Sequence, residues 1–156
     1  MSDEEFARRV EELRGRLYKT AVLYLGSPDL ALDALDEAVY KALLGKRKLR
    51  QPEYFATWIT RILINECHNE LRRQKRLLPE EDAPEQSAED FDYLPLKEAV
   101  AGLPTELKDV IVLRYFSGLT LEETAGLLNI PRGTAATRQR RALQLLRLEL
   151  DEEVEP

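Results

Sequence analysis

A single cysteine, Cys67, and a single histidine, His68, exclude a disulfide framework and leave a four-ligand zinc site without its usual donors. No apolar run approaches the roughly 20 residues that a membrane span needs. The first residues, MSDEEFARR, are acidic with no apolar stretch behind them, so no secretory signal is expected. Glycine is sparse, at 7 of 156 residues, and no alternating apolar pattern of useful length occurs. With them go the usual local signals of strands and hairpins. Four Phe and one Trp leave a core built mostly of Leu, Ile, Val and Ala. There is no nucleophile–base set and no phosphate-binding glycine loop. Cys67 and His68 are adjacent, and neighbours on a helix point about 100° apart, so they form no dyad. The chain therefore reads as a cytoplasmic non-enzyme that holds no metal and no cofactor.

What is present is charge, and it is segregated. The net charge is −6, yet residues 41–76 hold 10 basic and 3 acidic side chains, and residues 132–148 hold 5 basic and none acidic. Acidic stretches flank both blocks: residues 77–98 carry 8 acids against 1 base, and residues 149–156 carry 5 acids and no base. Solubility alone does not require such blocks, whereas a polyanionic partner accounts for both.

Helical periodicity dominates the pattern. Phe6, Val10, Leu13, Leu17 and Leu25 mark a first amphipathic helix over 4–25. Gly26-Ser27-Pro28 breaks it and starts a second helix over about 28–45, with Leu30, Ala34, Leu35, Ala38 and Ala42 inward. The basic loop KRKLRQP leads to a long helix over about 53–76, with Phe55, Trp58, Ile59, Ile62, Leu63 and Cys67 toward a core. The segment 77–95 contains three prolines and no helical stripe, so the chain divides there. Further helices are expected at about 95–102, 105–116, 120–128 and 131–150. The predicted fold is all-α: two small helical domains, 1–78 and 95–156, joined by an acidic linker over 79–94.

The second domain contains a helix-turn-helix pattern. Thr120 and Glu123 have capping-box spacing. Leu121, Ala125 and Leu128 face inward, Asn129 tolerates a left-handed helix end, and Pro131 can open the next helix. On that helix Ala135, Ala142 and Leu146 pack inward, which turns Arg132, Gly133, Ala136, Thr137, Arg140 and Arg141 outward. A basic helix presented in this way suits the major groove of DNA.

Together the two halves resemble the extracytoplasmic-function (ECF) group of bacterial RNA polymerase sigma factors. DALDEAVYKAL, WITRILINECHNELRRQKR, LPTELKDVIVLRYFSGLTLEETAGLL and GTAATRQRRA occur in the family's order. The resemblance implies partners: core RNA polymerase, promoter DNA and an anti-sigma factor, for a protein that is monomeric when free. It assigns Asp33, Asp36, Glu37 and Tyr40 to core polymerase. It assigns Lys48, Arg50, Tyr54, Arg61, Asn65, Asn69, Arg72, Arg73, Lys75 and Arg76 to the −10 element, with Lys46, Arg47 and Phe55 beside them. Trp58 is read as core rather than as a stacking platform. Arg132, Gly133, Thr134, Ala136, Thr137, Arg138, Arg140 and Arg141 are assigned to the −35 element. Two departures stand out: Asp36 where the family has Gln, and Ala136 where it has Lys or Arg. They keep open an alternative, a degenerate paralogue that binds polymerase or an anti-sigma protein without selecting promoters.

Overall fold

The structure, a computed structural model, describes residues 1–77 and 94–154, so the expected acidic linker lies outside the described residues apart from Leu94. The chain divides into two compact units, Met1–Ser87 and Ala88–Pro156. Every regular element among the described residues is helical.

In the first unit, α1 (Asp3–Leu25), α2 (Pro28–Gly45) and α3 (Phe55–Leu77) form a three-helix bundle. Local chemistry sets the ends. Ser2 Oγ accepts a hydrogen bond from the Glu5 amide at 3.1 Å, and Asp3, Glu4 and Glu5 crowd the positive end of the helix dipole. Gly26 ends α1 with φ 70°, a conformation open to glycine without steric cost, and its N–H donates to the Val22 carbonyl at 2.8 Å. Ser27 then caps α2 through the Leu30 amide, with Pro28 in the first turn. The α1–α2 reversal is thus written in three consecutive residues.

The interior is filled by Phe6, Val10, Leu17 and Ala21 from α1, by Ala31, Ala34, Leu35, Ala38 and Ala42 from α2, and by Phe55, Ile59, Leu63, Ile64 and Cys67 from α3. Leu13, Leu30 and Ile62 are only partly buried, with Ala31 and Ile64 taking inward positions that periodicity had given to their neighbours. Trp58 requires a correction as well. It is half-buried, its ring centroid 5.9 Å from that of Phe55. The indole packs on the core edge where α2 stops at Gly45, so its outer side stays open.

The second unit contains α4 (Leu94–Ala101), α5 (Thr105–Ile111), α6 (Leu121–Leu128) and α7 (Arg132–Val154). The helix expected over 105–116 changes character at Val112. Residues Val112–Phe116 form a π-helical turn, closed by the Ser117 amide donating to the Val112 carbonyl at 2.9 Å. The expected capping box is present in both directions: Thr120 Oγ1 accepts from the Glu123 amide at 3.0 Å, and Glu123 Oε1 accepts from the Thr120 amide at 2.9 Å. Asn129 ends α6 in the left-handed region, with φ 57° and ψ 46°. Ala125 from α6 and Ala135, Ala142 and Leu146 from α7 are buried. Leu121 and Leu128 are only partly buried, and Thr124 and Leu127 take the inward places instead.

Thr124 is fully buried, and among the described residues its hydroxyl has no hydrogen-bond partner. A buried unsatisfied hydroxyl costs about 1–3 kcal/mol, so Thr124→Val, which keeps the shape, is expected to stabilise this unit by about 1 kcal/mol. Thermal unfolding of the variant checks this. An unchanged or lower melting temperature would mean that the hydroxyl is satisfied.

Candidate nucleic-acid interface

The outward side of α3 is a stripe. Arg61, Asn65, Asn69, Arg72 and Arg76 recur at intervals of three and four residues, and all are exposed. From Arg61 to Arg76 the stripe runs about 22 Å at the helical rise. Its first half borders a pocket of about 360 Å³ lined by Lys41, Gly45, Lys48, Trp58, Ile62, Asn65, Glu66 and Asn69. The fold therefore brings Lys48, Asn65 and Asn69 together and sets them beside the open side of Trp58. Sequence reading missed Trp58 and Ile62 as pocket walls because their spacing matches that of core residues. The pocket carries an indole, two amides, two lysines and one carboxylate. Such a set can stack on a flat ring and hydrogen-bond its edge. Within its lining, Lys41 is paired to Glu66 across α2 and α3, and the Glu66 carboxylate raises the lysine's pKa.

Other members of the expected set sit elsewhere. Tyr54 is 56% exposed and, with exposed Arg50, belongs to the loop ahead of α3. Lys75 is exposed near the end of α3 and lies off the stripe. Arg72 hydrogen-bonds the Asn69 side chain. Arg73 turns to the opposite flank and makes a fork with Glu70 at 3.0 and 3.2 Å. There it borders a second groove of about 300 Å³ lined by Leu30, Asp33, Ala34, Glu37, Glu66, Asn69, Glu70 and Arg73. Arg73 thus shares a groove with Asp33 and Glu37, the residues expected at polymerase, and with Asn69 of the α3 stripe. The exposed side of α2 continues through Asp36 and through Tyr40, which is 56% exposed. It also carries Leu32, Leu43 and Leu44, large apolar side chains left open to solvent. Sequence reading had not assigned them, although all three fall outside the buried alanine stripe.

In the second unit, the turn Asn129–Pro131 sets α7 across α6. Gly133, Thr137 and Arg140 fall on one exposed face, with Arg141 beside them. Arg132 is exposed at the helix start and lies 3.8 Å from Glu122, a surface pair of little energetic weight. Thr137 Oγ1 donates to the Gly133 carbonyl at 3.0 Å, so its hydroxyl proton is used within the helix, leaving an acceptor and a methyl group outward. Thr134 and Ala136 are partly buried on the flanks. Arg138, assigned by resemblance to the −35 element, is partly buried and reaches back to Glu106 of α5 at 3.7 Å, and of the residues read as outward Ala136 is the one that is partly buried. Behind the face, Arg114 donates from Nε to Gln139 Oε1 at 2.9 Å and from Nη1 to the Leu119 carbonyl at 2.8 Å. That bidentate contact ties α7 to the loop that precedes α6. Sequence offered no signal for it.

Comparison with known proteins bears on both units. The family model for Sigma-70 region 2 matches residues 9–77, and that for Sigma-70, region 4 matches residues 99–148. The chain is 35% identical over 141 residues to the RNA polymerase sigma factor SigV of Bacillus subtilis, covering 87% of this chain and 85% of the relative. It is 30% identical over 134 residues to the ECF RNA polymerase sigma-E factor of Haemophilus influenzae, covering 73% and 71%. Among solved structures, the sigma factor RpoE in complex with the anti-sigma factor NepR from Bartonella quintana matches with TM-score 0.81 and 21% identity, covering 98% of this chain and 99% of that one. CnrH in complex with the cytosolic domain of CnrY matches with TM-score 0.78 and 20% identity, covering 97% and 90%. At these identities the two structures speak to the fold alone.

Gly133 yields a test of the α7 face. A Cβ built there meets no heavy atom within 4 Å, so packing within the unit does not require glycine. Glycine in a helix costs about 0.5–1 kcal/mol relative to alanine. Gly133→Ala is therefore expected to raise the unit's melting temperature while weakening −35 selection, because the added methyl stands between the backbone and a ligand. A variant that is stabilised with −35 selection intact would remove Gly133 from the interface.

Proposed function

Because the chain belongs to the sigma-70 family of bacterial RNA polymerase sigma factors, in the extracytoplasmic-function group, we propose that its two basic faces divide promoter recognition between them. The protein is a promoter-recognising initiation subunit, and the residue-level division of labour is as follows. The α3 stripe, with Arg61, Asn65, Asn69, Arg72 and Arg76, holds the separated strand at the −10 element. Lys48, Arg50 and Tyr54 reach it from the preceding loop, and Lys75 adds a phosphate contact. The pocket beside Trp58 takes one unstacked base. The outward face of α7 reads the −35 element: Arg141 and Arg132 address base edges, Arg140 holds phosphate, and the Thr137 methyl group contacts a base edge. Thr134, Ala136 and Arg138 flank that face.

Asp33, Asp36, Glu37 and Tyr40, with Leu32, Leu43 and Leu44, present a mixed acidic and apolar surface for core polymerase. Arg73 belongs with that surface. One solved neighbour is a complex with an anti-sigma factor, and by analogy this chain is held by such a partner when silent. It works in the cytoplasm, where polymerase and promoter are found, and is a monomer when free. Among the described residues no helix is long and apolar enough to cross a membrane. Bond chemistry belongs to the polymerase, and this subunit supplies recognition.

One observation carries this reading: each unit exposes a cationic helix face whose opposite side is buried in that unit's core. Orientation is then fixed by packing rather than by the charges themselves. The test is open-complex formation by reconstituted holoenzyme carrying Arg61→Ala, Arg72→Ala and Arg76→Ala together. The triple variant is expected to open promoters poorly and to flatten the salt dependence by roughly 0.7 unit of slope per lost single-strand phosphate contact. Arg73→Ala is expected to leave that slope alone. Wild-type opening and slope in the triple variant would contradict the assignment of α3.

A further inference from the structure

The first turns of α1 have no part in the division of labour above, yet they touch both ends of the loop that joins α2 to α3. At the loop's start, Lys46 pairs with the Asp3 carboxylate and donates to the Met1 carbonyl at 3.0 Å. At its end, Arg9 Nη1 donates to the Pro52 carbonyl at 3.1 Å, while Arg9 Nε and Nη2 hold Glu5 at 3.2 and 3.0 Å. The Arg9 guanidinium also lies 5.9 Å from the centre of the Phe55 ring, and Phe6 meets that ring edge-on at 5.7 Å. Three residues of α1, Asp3, Phe6 and Arg9, together with the Met1 carbonyl thus fix positions 46, 52 and 55. Between the anchors the chain makes two short 3₁₀ turns, Lys46–Lys48 and Pro52–Tyr54, with extended backbone at Leu49 and Gln51. Lys48, Arg50 and Tyr54 project from this braced segment and are exposed.

We propose that the amino-terminal end of α1 is a brace that sets the position of the α2–α3 loop, making Asp3 and Arg9 positioning residues for −10 selection. The proposal rests on the assignment of that loop to the −10 element. The energetic logic is preorganisation. A loop with two solvated ends would pay ordering entropy when the strand binds, and it would hold Lys48, Arg50 and Tyr54 at no fixed spacing. Anchoring both ends removes most of that freedom before binding. It also spends Lys46, whose side chain is 19% exposed, on the protein itself rather than on nucleic acid. The acidic character of the first turn has the same explanation: Asp3 answers Lys46 and Glu5 orients Arg9. The lysine's ammonium accordingly holds the Asp3 carboxyl below its usual range.

The experiment compares Asp3→Asn, Arg9→Met and the reversed pair Asp3→Lys with Lys46→Asp. Amide hydrogen exchange between residues 47 and 51 is read in the free protein. Base preference is read in reconstituted holoenzyme on libraries randomised at −10 or at −35. Arg9→Lys, which keeps the cation near Phe55, serves if Arg9→Met melts early. The expected result is severalfold faster exchange in the loop and broadened −10 preference for the single variants. Preference at −35 should be unchanged, and the reversed pair should restore both readouts. Unchanged exchange would overturn the brace. So would an unchanged −10 preference when Lys48→Ala with Tyr54→Ala does alter it, and the loop's −10 role would then stand without the brace. If Lys48→Ala with Tyr54→Ala also leaves −10 preference intact, the assignment of the loop fails and the brace proposal fails with it.

Discussion

Small side chains at the helix crossings are the constraint on which both units depend. The buried face of α2 is almost all alanine, at Ala31, Ala34, Ala38 and Ala42, and Ala125 of α6 and Ala135 and Ala142 of α7 are buried as well. Alanine lets helices approach toward the short end of the 8–10 Å range of interaxial distances. It also adds little apolar area per residue, so the larger residues Leu35, Phe55, Ile59, Leu63, Val110, Ile111 and Leu113 must supply the burial. Rotation of each helix is thereby fixed: a turn of one residue would bring a longer side chain into a gap sized for a methyl group. The exposed stripes on α3 and α7 inherit their direction from that fit.

Several choices run against the stability of the isolated units. Arg132 stands in the first turn of α7, at the positive end of its dipole, where an acid would be more stable. Gly133 follows it with no packing reason to be glycine. Leu44 and Tyr40 are left on the outside of α2. Each works against the stability of the isolated unit, and each falls on a face assigned to a partner. Local rules are broken at these exposed positions, and in the core at the Thr124 hydroxyl. The Thr120–Glu123 capping box and the Ser27–Pro28 start, which only shape the fold, follow them closely.

The helices were legible in the sequence because their ends are set by neighbours in the chain. Gly26-Ser27-Pro28, Thr120 with Glu123, and Asn129 with Pro131 carry their signals within a few residues. The buried stripes were legible to within a residue, with Ala31, Ile64, Thr124 and Leu127 the positions that packing shifted. Contacts between distant segments were not legible. Lys46 looked like a nucleic-acid contact because its partner Asp3 lies 43 positions earlier. The pairing of Arg138 with Glu106 of α5 spans 32 positions, and the groove that Arg73 borders is closed by residues of α2. The Arg114–Gln139 contact spans 25 positions and had no periodic signature. Trp58 has core spacing, but the helix that would cover it ends at Gly45.

The central claim is that two separate faces, one in each unit, each read one promoter element. Transcript start sites sequenced from a promoter library randomised across both elements, with holoenzyme reconstituted from this protein and core polymerase, test it most directly. The account predicts enrichment at two blocks separated by a spacer of fixed length, with neither block enriched when core polymerase acts alone. Enrichment at a single block, or start sites with no sequence preference, would contradict it.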